Sequence, residues 1–501
     1  MINTMTIIAF PILIPFALII ILILVRSNIW AKWIGILGSA LLCFISIYLF
    51  TLLKEPEIIT LNMGGWNAPF GIVLVIDYLS SIMLIISSII VFAISIYAVY
   101  YMDGEHKNTR FHVFFFSLTM GVNGAFITGD AFNLYVWFEV MLMSSFVLIT
   151  LGNSKEQLEG GIKYMALNLI GSLLFLAGLG LLYAKTGTLN MAQLAQILRN
   201  DEQAIFINSS AVLFFIAFGI KAGVFPLFFW LPSSYHTPNI TVTALFAGLL
   251  TKVGVYALIR SFTLFFVQDQ QFWHNMLLVI AGFTMVTGGI AASAHYEIRR
   301  ILSYHIISQV GYIIMGLGIF TPLAIAGAIY FTIHNMIAKT NAFFVAGIIN
   351  KFTGTFNLKD IGGLLKRSPL LAVLFVIPAF ALVGVPPLSG FFAKFILIKA
   401  GIEDKHYLVT SVAVLTAMLT LYSMIKIWSE AFLKKPPKFY KLEESKLKLK
   451  FLDVLPSIIL GILSILLGVF AAHVFNYTMV AANQLIEPSK YIETVLNGTK
   501  L

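Results

Sequence analysis

Residues 219–232 read GIKAGVFPLFFWLP, in the middle of an apolar run that spans 206–232. The run carries Lys221 and is interrupted by Pro226 and Pro232. A second stretch, GVPPLSGFFAKF at 384–395, repeats the combination with Pro386, Pro387 and Lys394. Proline removes an i→i−4 hydrogen bond and clashes with the preceding turn, so each run predicts a helix that unwinds part-way. Unwound backbone at membrane depth is tolerated only inside protein or beside a water-filled cavity. Two interrupted helices in corresponding positions of two halves point to inverted repeats with an ion site between them. The simpler alternative is a proline kink in each.

The rest of the chain agrees with a membrane setting. Of its 501 residues 59% are hydrophobic and 11% charged, whereas a soluble domain carries about 25% charged residues. Apolar runs of about 20 residues recur from Ile7 to Val480, each long enough to cross a hydrocarbon core as a helix. Fourteen spans are expected: 5–25, 31–52, 73–101, 110–129, 132–151, 160–184, 206–232, 240–262, 274–294, 300–320, 323–350, 369–400, 406–432 and 452–480. The run Ile7–Val25 has no basic region before it and no small-residue cleavage site after it, so it reads as a retained span. Cys43 is the one cysteine, which excludes disulfides within the chain and cysteine-based metal sites.

The net charge of +10 is placed for topology and the anionic leaflet, not for nucleic acid. Lys and Arg gather in the odd-numbered loops: Arg26 and Lys32, Lys107 and Arg110, Arg299 and Arg300, then Lys351, Lys359, Lys366 and Arg367. The segment 433–451 adds Lys434, Lys435, Lys438, Lys441, Lys446, Lys448 and Lys450. The positive-inside rule then puts the odd loops in the cytoplasm and both termini outside a plasma membrane that the chain crosses many times.

Five ionisable residues lie deep in separate spans: Glu139, Lys221, Lys252, His334 and Lys394. A charge at mid-membrane costs at least ~2.5–3.5 kcal/mol on insertion scales, so each needs a partner, water or a role. Away from water the charged forms of an acid and an amine are disfavoured, and each is restored when the other is near. A Glu139–Lys221 pair therefore reads as a switch that holds a proton when closed and releases it when open; the alternative is a static pair that locks two helices. Lys252 is too deep to snorkel, while Arg260, about two turns nearer the end, is the better snorkelling candidate. His334 suits a proton relay, or is simply a hydrogen bond between helices. Lys339, His305 and Gln309 are secondary candidates, as are Tyr235 and His236 after the first break.

Enzyme signals are missing: the sequence has no nucleotide-binding loop, no dinucleotide-binding glycine pattern and no His–Cys metal cluster. No cofactor or metal is expected. The stretches FNLYVWFEVMLMSSF, KAGVFPLFFWLP, AGLLTKVGVYALIR, RRILSYHIISQVGY and GVPPLSGFFAKF resemble the antiporter-like membrane subunits shared by respiratory complex I, membrane-bound hydrogenases and multisubunit Na+/H+ antiporters. The likeness runs over nearly the whole chain. GGWNAPFGIVLVIDYLSSIM and FPLFFWLPSSYHTPNITVTALFAGLLTKVGVYALIR look like the D-type branch of the Mrp/Mnh antiporters.

The resemblance implies an all-α polytopic membrane protein of about fourteen transmembrane helices, with two inverted five-helix repeats and broken helices 7 and 12. It divides the chain into residues 1–109 (helices 1–3), 110–262 (first repeat, helices 4–8), 263–432 (second repeat, helices 9–13) and 433–501 (basic cytoplasmic loop, helix 14 and tail). By motif, Glu139 is the fifth-helix acid and Lys221 its seventh-helix partner. Lys252 is the eighth-helix relay, His334 the eleventh-helix histidine and Lys394 the terminal residue of the twelfth helix. The chain departs from the pattern where complex I relatives read WLPDAH and it reads WLPSSY, with Ser233 and Tyr235 instead of the acid and histidine. Gln309 matches a histidine of those relatives, which puts a relay on the tenth helix in doubt. The implied function is proton translocation in a multisubunit cation/proton antiporter exchanging protons for Na+, with Li+ or K+ as alternatives. Its expected partners are the other subunits and membrane lipids. The competing readings are a proton-pumping subunit of a redox complex and a non-transporting scaffold.

Overall fold

In the computed structural model the structure describes residues 4–25, 27–53, 57–102, 109–199, 204–435 and 449–497. The first half runs through α1 (Phe10–Leu24), α2 (Asn28–Leu52), α3 (Tyr78–Tyr101), α4 (Thr109–Ile127), α5 (Ala131–Thr150), α6 (Lys155–Thr186) and the short α7 (Met191–Leu198). It continues with α8 (Ala204–Ala222), α9 (Trp230–Ser234), α10 (Ile240–Gly248) and α11 (Leu250–Leu264). The second half holds α12 (Gln270–Ala294), α13 (Ile298–Ile319), α14 (Pro322–Thr353), α15 (Leu364–Arg367), α16 (Pro369–Val383) and α17 (Ser389–Glu403). After these come α18 (Tyr407–Trp428), α19 (Phe451–Val469), α20 (Ala471–Ile486) and α21 (Ser489–Asn497).

Side chains written into the sequence start and stop these helices. Asp77, Asp130, Ser154, Glu297 and Thr321 each accept a backbone N–H in the first turn of the helix that follows, which satisfies a donor the helix leaves free. Gly187 and Gly354 end α6 and α14 in the left-handed region, where a residue without Cβ is favoured.

Burial sorts the helices into an inner and an outer set. The joined α10–α11 segment, α13 and most of α14 are enclosed by protein on all sides. The segments Thr6–Leu24, Asn28–Leu52, Lys155–Thr186 and Tyr407–Leu433 leave more than half of their apolar length uncovered. Ile23, Leu24, Ile29, Trp30, Leu173 and Leu408 are among the exposed large side chains. So much exposed apolar surface suits hydrocarbon, not water. Among the described residues ten helices are long and apolar enough to cross a membrane. The protein is multi-pass and mostly helical.

Local departures from the expected spans have physical causes. Val73–Ile76 (β2), expected as the start of a span, is a strand paired antiparallel with Ile59–Asn62 (β1), Ile59 opposite Ile76; a short apolar run fits a strand as well as a helix. The expected span 240–262 breaks at Leu249, and the last one breaks at Phe470 between α19 and α20. Arg260 does not snorkel. It is 4% exposed, and its Nη1 and Nη2 donate to Asp77 Oδ2 and Oδ1 at 2.6 and 2.9 Å, so it joins α11 to the start of α3. In the basic loops Arg26, Lys107, Lys438, Lys441, Lys446 and Lys448 lie outside the described residues.

Candidate functional site: a buried polar axis

Three chain breaks and one long helix position the axis. At the first break, Gly223 takes φ +77°, and the N–H groups of Gly223 and Val224 both donate to Gly219 O, at 2.9 and 3.1 Å. The freed Ile220 carbonyl accepts from Gly223 N (3.2 Å) and from the indole of Trp230 (2.9 Å). Lys221 takes no part in these bonds. The Lys221 ammonium lies 5.6 Å from the centre of the Phe138 ring, within electrostatic range of Glu139. Among the described residues it makes no ion pair within 4.0 Å and no hydrogen bond. Glu139 Oε1 is buried and has no hydrogen-bond partner either. The two groups are near enough to interact electrostatically and do not form an ion pair. Gly254 lets α11 run against this point, since a Cβ there would stand 2.6 Å from Ala222 N and 2.9 Å from Lys221 C.

The second break lies between α10 and α11, where Leu249 has φ −114° and ψ −53°. Lys252, fully buried, turns back and donates from Nζ to Ala247 O at 2.6 Å. On α14, Lys339 Nζ reaches Leu302 O at 3.5 Å, at the long end for a hydrogen bond. It lies within electrostatic range of both Lys252 and Lys394. His334 Nδ1 contacts Ser389 Oγ at 2.9 Å, and Ser389 Oγ contacts Ser464 Oγ at 3.1 Å. His334 Nε2 has no partner.

Around these residues runs a seam of buried polar atoms without protein partners: both ring nitrogens of His305 and both amide atoms of Gln309 and of Asn335. Each unsatisfied buried group costs ~1–3 kcal/mol, and buried polar groups are otherwise nearly always paired with protein or ordered water. The seam is chemically suited to water.

At the third break Gly384 takes φ +96°, and the N–H groups of Gly384 and Val385 donate to Phe380 O at 2.9 and 3.0 Å. Pro386 and Pro387 cannot supply the donors that Leu382 O and Val383 O would receive in a continuous helix. Lys394 Nζ supplies them instead, at 2.9 and 2.8 Å, and lies 5.4 Å from the centre of the Tyr312 ring. Gly390 allows the close crossing: a Cβ there would fall 1.8 Å from Ala381 O and 2.8 Å from His334 Cε1.

The secondary candidates divide. Lys339, His305 and Gln309 join the axis. Tyr235 is fully buried with its hydroxyl unpartnered, packed edge-on against Trp230 at 5.6 Å between ring centres. His236 instead borders a surface cavity of about 280 Å³ shared with Glu156, Glu159, Lys163 and Arg300. Its Nδ1 meets Pro232 O at 2.8 Å and its Nε2 meets Arg300 Nη2 at 3.1 Å. Burial and then the Arg300 charge hold His236 below the usual imidazole range. Sequence reading missed Ser389 and the Trp230 indole as partners within the axis, and Asp77 as the mate of Arg260. A charged residue inside the expected third span was the signal for Asp77; nothing in the sequence singled out the other two.

Residues 128–420 match the family model described as NADH:quinone oxidoreductase/Mrp antiporter, transmembrane. The chain belongs to that family. Residues 61–112 match the model for the N-terminus of complex I chain 5. The chain is 46% identical over 488 residues to the D-type subunit of the Na+/H+ antiporter of Alkalihalophilus pseudofirmus, covering 97% of this chain and 98% of the relative. It is 40% identical over 490 residues to the D-type subunit of the Na+/H+ antiporter of Bacillus subtilis, again covering 97% and 98%. Its fold superposes on a chain of the Mrp complex from Dietzia sp. DQ12-45-1b with a TM-score of 0.91, at 27% identity over 99% of this chain and all of the other. As a member of the Mrp antiporter family it is a transporter component, not an enzyme.

Proposed function

We propose that this chain is the proton-translocating subunit of a multisubunit Na+/H+ antiporter, powered by the proton motive force. In this reading it is a plasma-membrane protein of fourteen spans with both termini outside. Helices 4–8 and 9–13 form the inverted repeats, and the other antiporter subunits and membrane lipids surround it. The transported cation is Na+, with Li+ or K+ as close alternatives. The repeats are supported by the two proline breaks, which share the order Gly-Val-x-Pro at 223–226 and 384–387 and the same pair of N–H groups converging on one carbonyl.

The relay runs from Lys221 through Lys252 and the Lys339–His334 region of α14 to Lys394. When the Glu139–Lys221 pair closes, the lysine keeps its proton; when it opens, the proton moves towards Lys252. A charge change in a neighbouring subunit sets which state holds, and ~2.3 kcal/mol per charge per 100 mV is available to drive the step. The observation that carries this reading is the absence of an ion pair between Glu139 and Lys221, next to lysines held by backbone carbonyls and buried imidazole nitrogens without partners. Two electrostatically coupled groups without an ion pair suit a movable proton better than a static lock.

The test is Na+-dependent proton flux in everted vesicles containing the complete complex. Glu139→Ala and Lys221→Ala are each expected to abolish exchange while the complex still assembles. A redox-pump component, in contrast, would move protons with electron transfer and without Na+. Flux that ignores Na+ would overturn the antiporter reading.

A further inference from the structure

Between α5, α6, α8, α9 and α11 lies a small cavity lined by Phe138, Tyr164, Asn168, Lys221, Trp230 and Val253. It leaves about 20 Å³ for the centre of a water molecule, and about 10–15 Å³ is enough for one. Its polar lining is nearly balanced. Tyr164 pairs its hydroxyl with Ser145 at 2.6 Å, and the Trp230 indole is taken by Ile220 O. Asn168, 0% exposed, donates its amide Nδ2 to Tyr164 O at 2.9 Å. That bond fixes the amide orientation, because a carbonyl accepts only from the NH2 end. Asn168 Oδ1 is left buried with no donor. The one donor on the cavity wall without an acceptor is the Lys221 ammonium. Glu139 on α5 is the charged group coupled electrostatically to Lys221, Tyr164 comes from α6 and Trp230 from α9, and α11 contributes only Val253, Leu250 and Gly254 here.

We infer that Asn168 is a positioning residue for proton transfer: its Oδ1 holds the single water through which Lys221 keeps a hydrogen bond while the Glu139 pair is open. The inference rests on the relay proposed above. The oxygen gives the ammonium an acceptor that is neutral, so the proton is steadied there without being trapped. The water stands against α11, the helix that carries Lys252, and so gives the proton a first step in that direction.

Everted vesicles with the complete complex test it. Asn168→Leu, close in size but without an acceptor, is expected to lower Na+-dependent proton flux at least about tenfold with assembly unchanged, the scale of one lost hydrogen bond to a charge. Asn168→Thr, which keeps a neutral acceptor oxygen on that face of the helix, is expected to recover several-fold over N168L; a residue that only packs would show no such recovery. If the N168L complex does not assemble, Asn168→Ala carries the same expectation, since it only removes atoms. Near-normal flux in assembled N168L or N168A, with Lys221→Ala inactive in parallel, overturns the role of Asn168 and leaves the relay standing. Equal loss in N168L and N168T overturns it as well. An active Lys221→Ala complex removes the relay itself, and the role of Asn168 with it.

Discussion

The two proline breaks open their helices in the same way and treat their lysines in opposite ways. Each has a left-handed glycine, a valine and a proline in register. At the first, the Ile220 carbonyl accepts from the indole of Trp230, and among the described residues Lys221 makes no hydrogen bond. At the second, two consecutive prolines free two carbonyls and Lys394 closes both. Lys221 sits two residues before its glycine and Lys394 ten residues after its own. The same backbone device therefore leaves one lysine without a hydrogen bond among the described residues and ties the other into the fold. In the relay proposed above, the first lysine is the switch and the second the fixed station.

The largest effect should come from removing the fixed station. Lys394→Met leaves Leu382 O and Val383 O without donors, at ~1–3 kcal/mol each, so the complex should lose thermal stability as well as transport. Lys221→Met strands no carbonyl and should change the melting temperature little while abolishing flux. Equal melting temperatures for the two variants would break the contrast. Gly390→Ala comes next. Its methyl group meets Ala381 O and His334, so α17 must move; a loss of about 1–3 kcal/mol and a clear drop in flux are expected, read by thermal melting and vesicle assays. Ser389→Ala removes the partner of His334 Nδ1, worth ~0.5–1.5 kcal/mol. It should slow exchange a few-fold and leave melting nearly unchanged.

The smallest effect lies at the surface cavity. Burial and the Arg300 charge lower the proton affinity of His236, so the folded protein binds its proton less readily than the unfolded chain. Stability from this contact is present above the ordinary imidazole value of about 6.5 and is lost as the pH falls below it. Acidification should loosen the α9–α13 contact, measured as faster hydrogen exchange near Pro232. His236→Gln should remove that pH dependence, and an unchanged acid response in that variant would show that another group carries it.

Much of this is legible in the residues. Pro226, Pro386 and Pro387 announce their breaks because a missing N–H is a covalent property, and deep charges announce themselves because hydrocarbon makes them costly. The break at Leu249 is not legible. No proline marks it, and it is stabilised by Lys252 reaching Ala247 O, a contact that exists only once the chain has turned. Arg260 reads as a snorkelling side chain because its mate, Asp77, lies 183 residues away and pairing at that distance is decided by packing. The strand at Val73–Ile76 is hidden in an apolar run too short to carry a period. Among the axis residues, charge and depth are visible, whereas which carbonyl, hydroxyl or ring each one meets is not.

The central claim is that the proton on Lys221 answers to Glu139. Proton flux driven by a Na+ gradient, measured in vesicles whose Glu139→Gln complex is shown to be fully assembled, tests it most directly. The account predicts flux at background. Normal exchange in that variant would contradict it.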